Sequence, residues 1–222
     1  MYRYILFDLD GTLTDSKEGI VNSVRWTLRS MDAPVPEEEI LQLFIGPPLQ
    51  DSFERFCGFS PERAVEAVAV FRERYLPVGQ FENRAAPGAA ELLARLKGKG
   101  YVLALASSKP EELCVSICKR FGFTPHLSAI VGSPPLGDRS KADVIREAMA
   151  QLDLTEADRP AVLMVGDRKF DVLGARECGV DCVGVRFFGY APPGELEEAG
   201  AIAVTETVEE LEAFITSELK GR

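Results

Sequence analysis

An apolar run, Tyr4-Ile5-Leu6-Phe7, breaks abruptly into Asp8-Leu9-Asp10-Gly11-Thr12. A short run rich in branched and aromatic residues reads as a buried strand. Side chains alternate along a strand, so Asp8 and Asp10 leave its carboxyl end on one side. Two carboxylates are thereby brought within reach of one ligand. Unpaired at the end of a buried strand, each would carry a large desolvation cost, so both need a cation or hydrogen-bond donors. A divalent metal is the simplest partner. The competing explanation is that both aspartates only form the turn through Gly11, since Asp and Gly are ordinary turn residues.

Further short apolar runs at residues 101–106, 129–131, 161–165 and 181–185 read as strands. Between them lie helical stripes: Leu92, Leu93 and Leu96; Leu113, Ile117 and Phe121; Val144, Ala148 and Leu152. Strands alternating with amphipathic helices predict an α/β fold, a central parallel sheet covered on both faces. In such sheets ligands bind at the carboxyl ends of the strands. The pattern changes between the first strand and Gly88, where about seventy residues show helical periods and no convincing strand. Ile20, Val24, Leu28 and Met31 form one face there. Val65, Val68, Phe71 and Tyr75 form another, after the helix start Ser60-Pro61-Glu62. Residues 16–82 are therefore expected to form an inserted all-helical domain placed as a cap, with 1–15 and 83–222 forming the core.

Composition removes several classes of function. Asp and Glu outnumber Lys and Arg by 35 to 25, and no long basic run is present to follow a polyanion, which argues against a nucleic-acid partner. No apolar stretch approaches the ~20 residues of a membrane span. Met1-Tyr2-Arg3 runs directly into the first strand and is not a secretory signal. A soluble cytoplasmic protein is expected. The five cysteines lack C-x-x-C spacing and read as reduced thiols, and Cys114 and Cys118 sit among apolar neighbours on one helix rather than at a zinc site. A serine or cysteine nucleophile activated by histidine would have to use His126, the one histidine, which follows a proline in a loop-like stretch.

Three later segments complement the first. The strand at 101–106 ends in Ser107-Ser108-Lys109-Pro110, with Pro110 expected at the first helical position; hydroxyls and free N–H groups ahead of a helix suit a phosphate oxygen, although N-capping explains them equally well. Lys141 begins the next helix after Gly137-Asp138-Arg139-Ser140, where a cation opposes the helix dipole unless an anion lies beside it. The strand at 161–165 ends in Gly166-Asp167-Arg168-Lys169-Phe170-Asp171, a second acidic pair. Two such pairs on one rim form the oxygen-rich site that Mg²⁺ prefers.

Together Asp8-Leu9-Asp10-Gly11-Thr12, Ser107, Lys141 and Gly166-Asp167 with Asp171 resemble the four motifs of the haloacid dehalogenase superfamily, in order and along essentially the whole chain. The helical insert and Phe44-Ile45-Gly46-Pro47-Pro48 are similar to the cap and cap loop of its phosphoglycolate phosphatase-like branch. The resemblance implies a Rossmann-like core with the Asp8 strand central, between the strands ending at Ser107 and Asp167. It implies Asp8 as nucleophile and Asp10 as acid and base, with Mg²⁺ held by Asp8, the Asp10 backbone carbonyl and Asp167. Ser107 and Lys141 would hold phosphate oxygens, with Ser108, Leu9 and Thr12 completing that set. Gly166 and Asp171 would support the site, Asp171 by orienting Lys141 or metal-bound water. Substrate recognition is expected from Lys17, Gly46, Arg55, Arg72 and Lys109. Arg168 and Lys169 would raise the positive potential at the rim unless they point to solvent. Dehalogenases of the superfamily resemble this chain but lack the second aspartate, because a halide needs no proton. The implied activity is hydrolysis of a small phosphorylated metabolite, phosphoglycolate or a nucleoside monophosphate, by a monomer or homodimer. A sugar-phosphate mutase and a phospho-accepting signalling module are the alternatives.

Overall fold

The computed structural model describes residues 1–134 and 139–217. The loop residues Gly137 and Asp138 lie outside that set. The chain divides into two compact units, one of Met1–Leu13 with the chain from Ala85 onward, the other Thr14–Arg84.

The first unit holds β1 (Tyr4–Phe7), and the second holds β2 (Thr14–Asp15), α1 (Lys17–Ser30), α2 (Glu38–Gln42), α3 (Leu49–Cys57) and α4 (Pro61–Tyr75). The chain continues through β3 (Arg84–Ala85), α5 (Ala89–Gly98), β4 (Val102–Pro110), α6 (Glu111–Arg120), β5 (Ala129–Ser133) and α7 (Lys141–Gln151). It ends with β6 (Val162–Gly166), α8 (Lys169–Cys178), β7 (Asp181–Val185), α9 (Glu195–Ala199), β8 (Ala203–Thr205) and α10 (Val208–Ser217). Six strands form one parallel sheet in the order β5-β4-β1-β6-β7-β8. β1 is central, with Phe7 level with Leu105 of β4 and with Val165 of β6.

A central strand of a parallel sheet is buried on both faces, which is why Ile5, Leu6 and Phe7 form an unbroken apolar run with no solvent exposure. Ile5 and Phe7 join a core layer with Leu92, Leu93 and Leu96 of α5, Ile117 of α6 and Leu211 of α10. Leu6 faces the opposite layer, with Val144 and Ala148 of α7 and Val172 and Ala175 of α8. The three-layer α/β core expected from the alternation of strands and helices is therefore present.

Local differences have identifiable causes. β4 runs through Ser107, Ser108 and Lys109 to Pro110, because β5 continues to Ser133 and pairs again after a register shift between Ala106 and Pro110. A proline is tolerated at such an irregularity. Pro110 therefore ends a strand and precedes α6 rather than opening it. The buried face of α6 is Cys114, Ile117 and Cys118; Leu113 is half-buried and Phe121 follows the helix. β8 is a three-residue edge strand, too short to show a period. All five cysteines are free thiols. Burial pushes Cys114 and Cys182 well up and Cys118 up to about 12, so these thiols are poor nucleophiles.

In the helical unit, Ile20, Val24 and Leu28 of α1 are buried, as are Phe44 and Phe53, whose rings meet edge to face at 5.1 Å. The short β2 and β3 form a two-stranded sheet. Ser60 caps α4, its hydroxyl accepting from Arg63 N–H, with Pro61 at the first helical position. The buried stripe of α4 is Ala64, Ala67, Phe71 and Tyr75; Val65, expected in the core, is 56% exposed. Small alanines occupy the tightly packed line and the larger valine faces outward. Phe71→Ala should accordingly cost about 3–5 kcal/mol in denaturant unfolding, whereas Val65→Ala should stay within about 0.5 kcal/mol.

Candidate active site

Asp8 follows β1 directly, and its N–H donates to Val165 O at 2.9 Å, so the strand ladder holds its backbone one residue past the strand. The chain then turns, with Leu13 N–H donating to Leu9 O at 2.9 Å. Gly11 sits in the turn at φ +86°, and a Cβ there would lie 2.1 Å from Asp167 Oδ2. Only glycine permits both that backbone and that approach. Thr12, fully buried, donates its hydroxyl to Asp167 Oδ1 at 3.5 Å. Gly166 serves the same end, since a Cβ on it would fall 2.2 Å from Asp171 Cγ.

Lys141 is the first residue of α7, which Ser140 and Asp143 cap reciprocally. Its ammonium donates to Asp8 Oδ1 at 2.7 Å and to Ala106 O at 3.2 Å, and pairs with Asp171 Oδ1 at 2.8 Å. These anionic partners explain a lysine at the amino end of a helix. Burial alone would lower its pKa, but Asp171 and Asp8 outweigh that and raise it.

Carboxylate oxygens of Asp8, Asp167 and Asp171 lie within 4.8 Å of one another, and all three residues are buried. Burial pushes Asp8 up to about 6; Lys141 opposes the shift, while Asp171 and Asp10 add to it. Burial, then the charges of Asp171 and Asp8, push Asp167 well up. Asp167 Oδ2 is buried without a hydrogen-bond partner among the described residues. Three carboxylates facing one ammonium leave the cluster short of positive charge. An all-oxygen donor set suits a hard divalent cation such as Mg²⁺, so these residues fit the metal. The carboxylate of Asp10 lies apart from this cluster in its bonding: Oδ2 accepts from Lys109 Nζ at 2.6 Å, and Oδ1 is buried without a partner among the described residues.

Other residues singled out from sequence are placed as follows. Ser107 is buried and its hydroxyl accepts from Lys109 N–H at 3.4 Å, while Ser108 is half-buried. Leu9 is fully buried in the core layer. Lys17, Gly46, Arg55 and Arg72 belong to the helical unit, whereas Lys109 belongs to the sheet unit. Lys17 opens α1 and lines a cavity of about 420 Å³ within the helical unit, together with Arg25, Glu38 and Arg84. Gly46 has φ +102°, exposed Arg55 lies over the Phe56 ring at 5.4 Å, and Arg72 is half-buried on α4. Arg168 does not point to solvent. It is buried, and its Nε donates to Glu195 Oε1 at 2.8 Å, so an acidic partner offsets its charge. Nothing in the sequence around Glu195 signalled that partnership.

The carboxylates at the carboxyl end of β1 and the lysine from α7 stand at positions where the sequence resembles the haloacid dehalogenase-like hydrolases. That family matches residues 5–185, and the chain belongs to it. Among similar proteins, a 5'-nucleotidase of Pseudomonas aeruginosa is 43% identical over 196 residues, 88% of this chain and 87% of that protein. The tyrosine-protein kinase PtkA of Mycobacterium tuberculosis is 39% identical over 215 residues, 94% of this chain and 71% of that protein. The crystal structure of a predicted phosphatase from Clostridium acetobutylicum has a TM-score of 0.91 and 39% identity, covering 98% of this chain and 99% of that one. Among the described residues no helix is long and apolar enough to cross a membrane.

Lys141→Met removes the one cation that pairs with both Asp8 and Asp171 among the described residues. Breaking a buried pair in this way should cost about 3–5 kcal/mol in metal-free denaturant unfolding. Added Mg²⁺ should recover part of that loss.

Proposed function

We propose that the protein is a Mg²⁺-dependent phosphatase that hydrolyses small phosphate monoesters through an aspartyl-phosphate on Asp8. The observation that carries this reading is the buried Asp8–Lys141 pair within a three-carboxylate cluster at the end of β1. A carboxylate oxygen of Asp8 bonds to phosphorus as the ester P–O bond breaks, and Asp10 gives its proton to the leaving alkoxide. Water then bonds to phosphorus, Asp10 takes its proton, and the bond to Asp8 breaks. Asp8 and Asp167, with the Asp10 carbonyl or Asp171, would hold Mg²⁺, which would supply positive charge to the phosphoryl oxygens. Lys141, Ser107 and Ser108 position those oxygens, with the turn of Leu9 and Thr12 beneath them, because phosphoryl transfer depends chiefly on position and charge. Gly166 and Asp171 keep Asp167 and Lys141 in place.

The helical unit, through Lys17, Gly46, Arg55 and Arg72, and Lys109 from the sheet unit select the leaving group. The similarity to a 5'-nucleotidase supports a nucleoside monophosphate ahead of phosphoglycolate. The enzyme is proposed to act in the cytoplasm as a monomer or homodimer. A phosphate-release screen with Mg²⁺ over nucleoside monophosphates, phosphoglycolate and sugar phosphates tests the reading; conversion of a sugar phosphate to its isomer without phosphate release would identify a mutase instead.

Asp8→Asn should lower phosphate release by more than about 10³-fold, as removal of a nucleophile does. Retained turnover in a clean preparation would exclude the covalent route. Asp10→Asn should slow alkyl phosphates more than activated aryl phosphates, whose leaving groups depart without a proton. With the aryl ester, a rapid burst of aryl alcohol should precede slow turnover. Equal slowing of all esters without a burst would assign Asp10 a structural role.

A further inference from the structure

The turn from Gly166 to Asp171 carries two of the three clustered carboxylates, Asp167 and Asp171, and must hold them against their mutual repulsion. Part of that restraint is local. Asp171 Oδ2 accepts from Arg168 N–H, and Asp171 N–H donates to Arg168 O, each at 3.0 Å.

The rest comes from outside the turn. Glu195, the first residue of α9, accepts through Oε1 from Arg168 Nε at 2.8 Å and from Lys169 N–H at 3.1 Å; its Oε2 accepts from Arg168 Nη2 at 3.4 Å. The side chains of this pair are only 6% and 9% exposed. Lys169 N–H is the first amide of α8, with no acceptor inside its helix. One carboxylate thus holds the two residues that follow Asp167 in the chain.

The pair is weak evidence of a stabilising role, because apolar residues of similar volume are often as stable in place of a buried ion pair. We infer that Glu195 is a positioning residue of the metal site, holding Asp167 and Asp171 in their ligating arrangement through Arg168 and the Lys169 backbone. This rests on the metal reading of the proposed function. Groups one shell beyond metal ligands set ligand orientation and typically change metal affinity by 10–100-fold. Glu195 also keeps the Arg168 guanidinium engaged; released, that cation would compete with a divalent metal for the neighbouring carboxylates.

The test is Mn²⁺ binding to the full chain without substrate, read from the free-ion electron paramagnetic resonance signal. Glu195→Gln should weaken Mn²⁺ binding about tenfold or more when measured well below its melting temperature, which the buried Arg168 left without a charged partner should lower. Wild-type affinity in that variant, whatever its melting temperature, overturns the inference. If Glu195→Gln does not fold, Glu195→Asp replaces it. That side chain keeps the charge but is one methylene too short to span Arg168 Nε and Lys169 N–H together, so weakened binding supports the inference and unchanged binding overturns it. A wild-type protein that binds no Mn²⁺ overturns the metal reading and this inference together, whereas binding by wild type and variant alike overturns only the inference.

Discussion

Three buried carboxylates meet one buried ammonium where β1 and β6 end, and the surrounding structure is organised around holding that unbalanced charge. Burial of these carboxylates, and then repulsion among them, works against folding and pushes Asp8 and Asp167 up. What holds the acids together is backbone rigidity supplied by apolar burial. Ile5, Leu6 and Phe7 are fully buried between two helical layers, and each contributes roughly 1.5–3 kcal/mol relative to exposure. The apolar strand therefore does more than precede the acidic turn; it offsets the cost of placing it.

Close approach is the second requirement, and it is met by the absence of side chains. Gly11 and Gly166 leave room for the carboxylates of Asp167 and Asp171, so the two acidic turns come together without displacing either strand. Lys141 then links β1, β4 and α8 through Asp8, Ala106 O and Asp171. A lysine at the amino end of α7 would be a small liability in isolation. Here two carboxylates reverse the sign of its contribution, so local and tertiary electrostatics must be weighed together.

The legible part of the chain is the part where local pattern and chemistry coincide. β1 was readable because a central parallel strand needs an unbroken apolar run, and Asp8, Asp167 and Lys141 because each stands at the junction of a strand or helix with a polar loop. The helix faces were less so. On α4, periodicity alone favoured the bulky Val65 and Val68 over Ala64 and Ala67, yet tight packing selects the small residues. The extension of β4 through Lys109 was hidden because pairing to Ser133 of β5, not local propensity, creates it. Glu195 was illegible for a similar reason: its importance lies in partners 26 and 27 residues away, and a glutamate opening a five-residue helix carries no signal of its own.

Asp8 and Asp10 show how one short strand end creates two different carboxylates. They are the same residue type, two positions apart, and both are buried. Asp8 shares Lys141 with Asp171 and sits within a cluster of acids, an environment that a divalent cation completes. Asp10 faces a lysine of its own, Lys109, and keeps one buried oxygen without a partner among the described residues. Separate environments for neighbouring acids are what a reaction needing one nucleophile and one proton carrier requires. β4 contributes to that separation: its Lys109 donates to Asp10, and the carbonyl of its Ala106 accepts from Lys141. Lys109 from the strand beside β1 and Lys141 from α7 thus reach different acids, and the difference between the two aspartates comes from their surroundings rather than from the acids themselves.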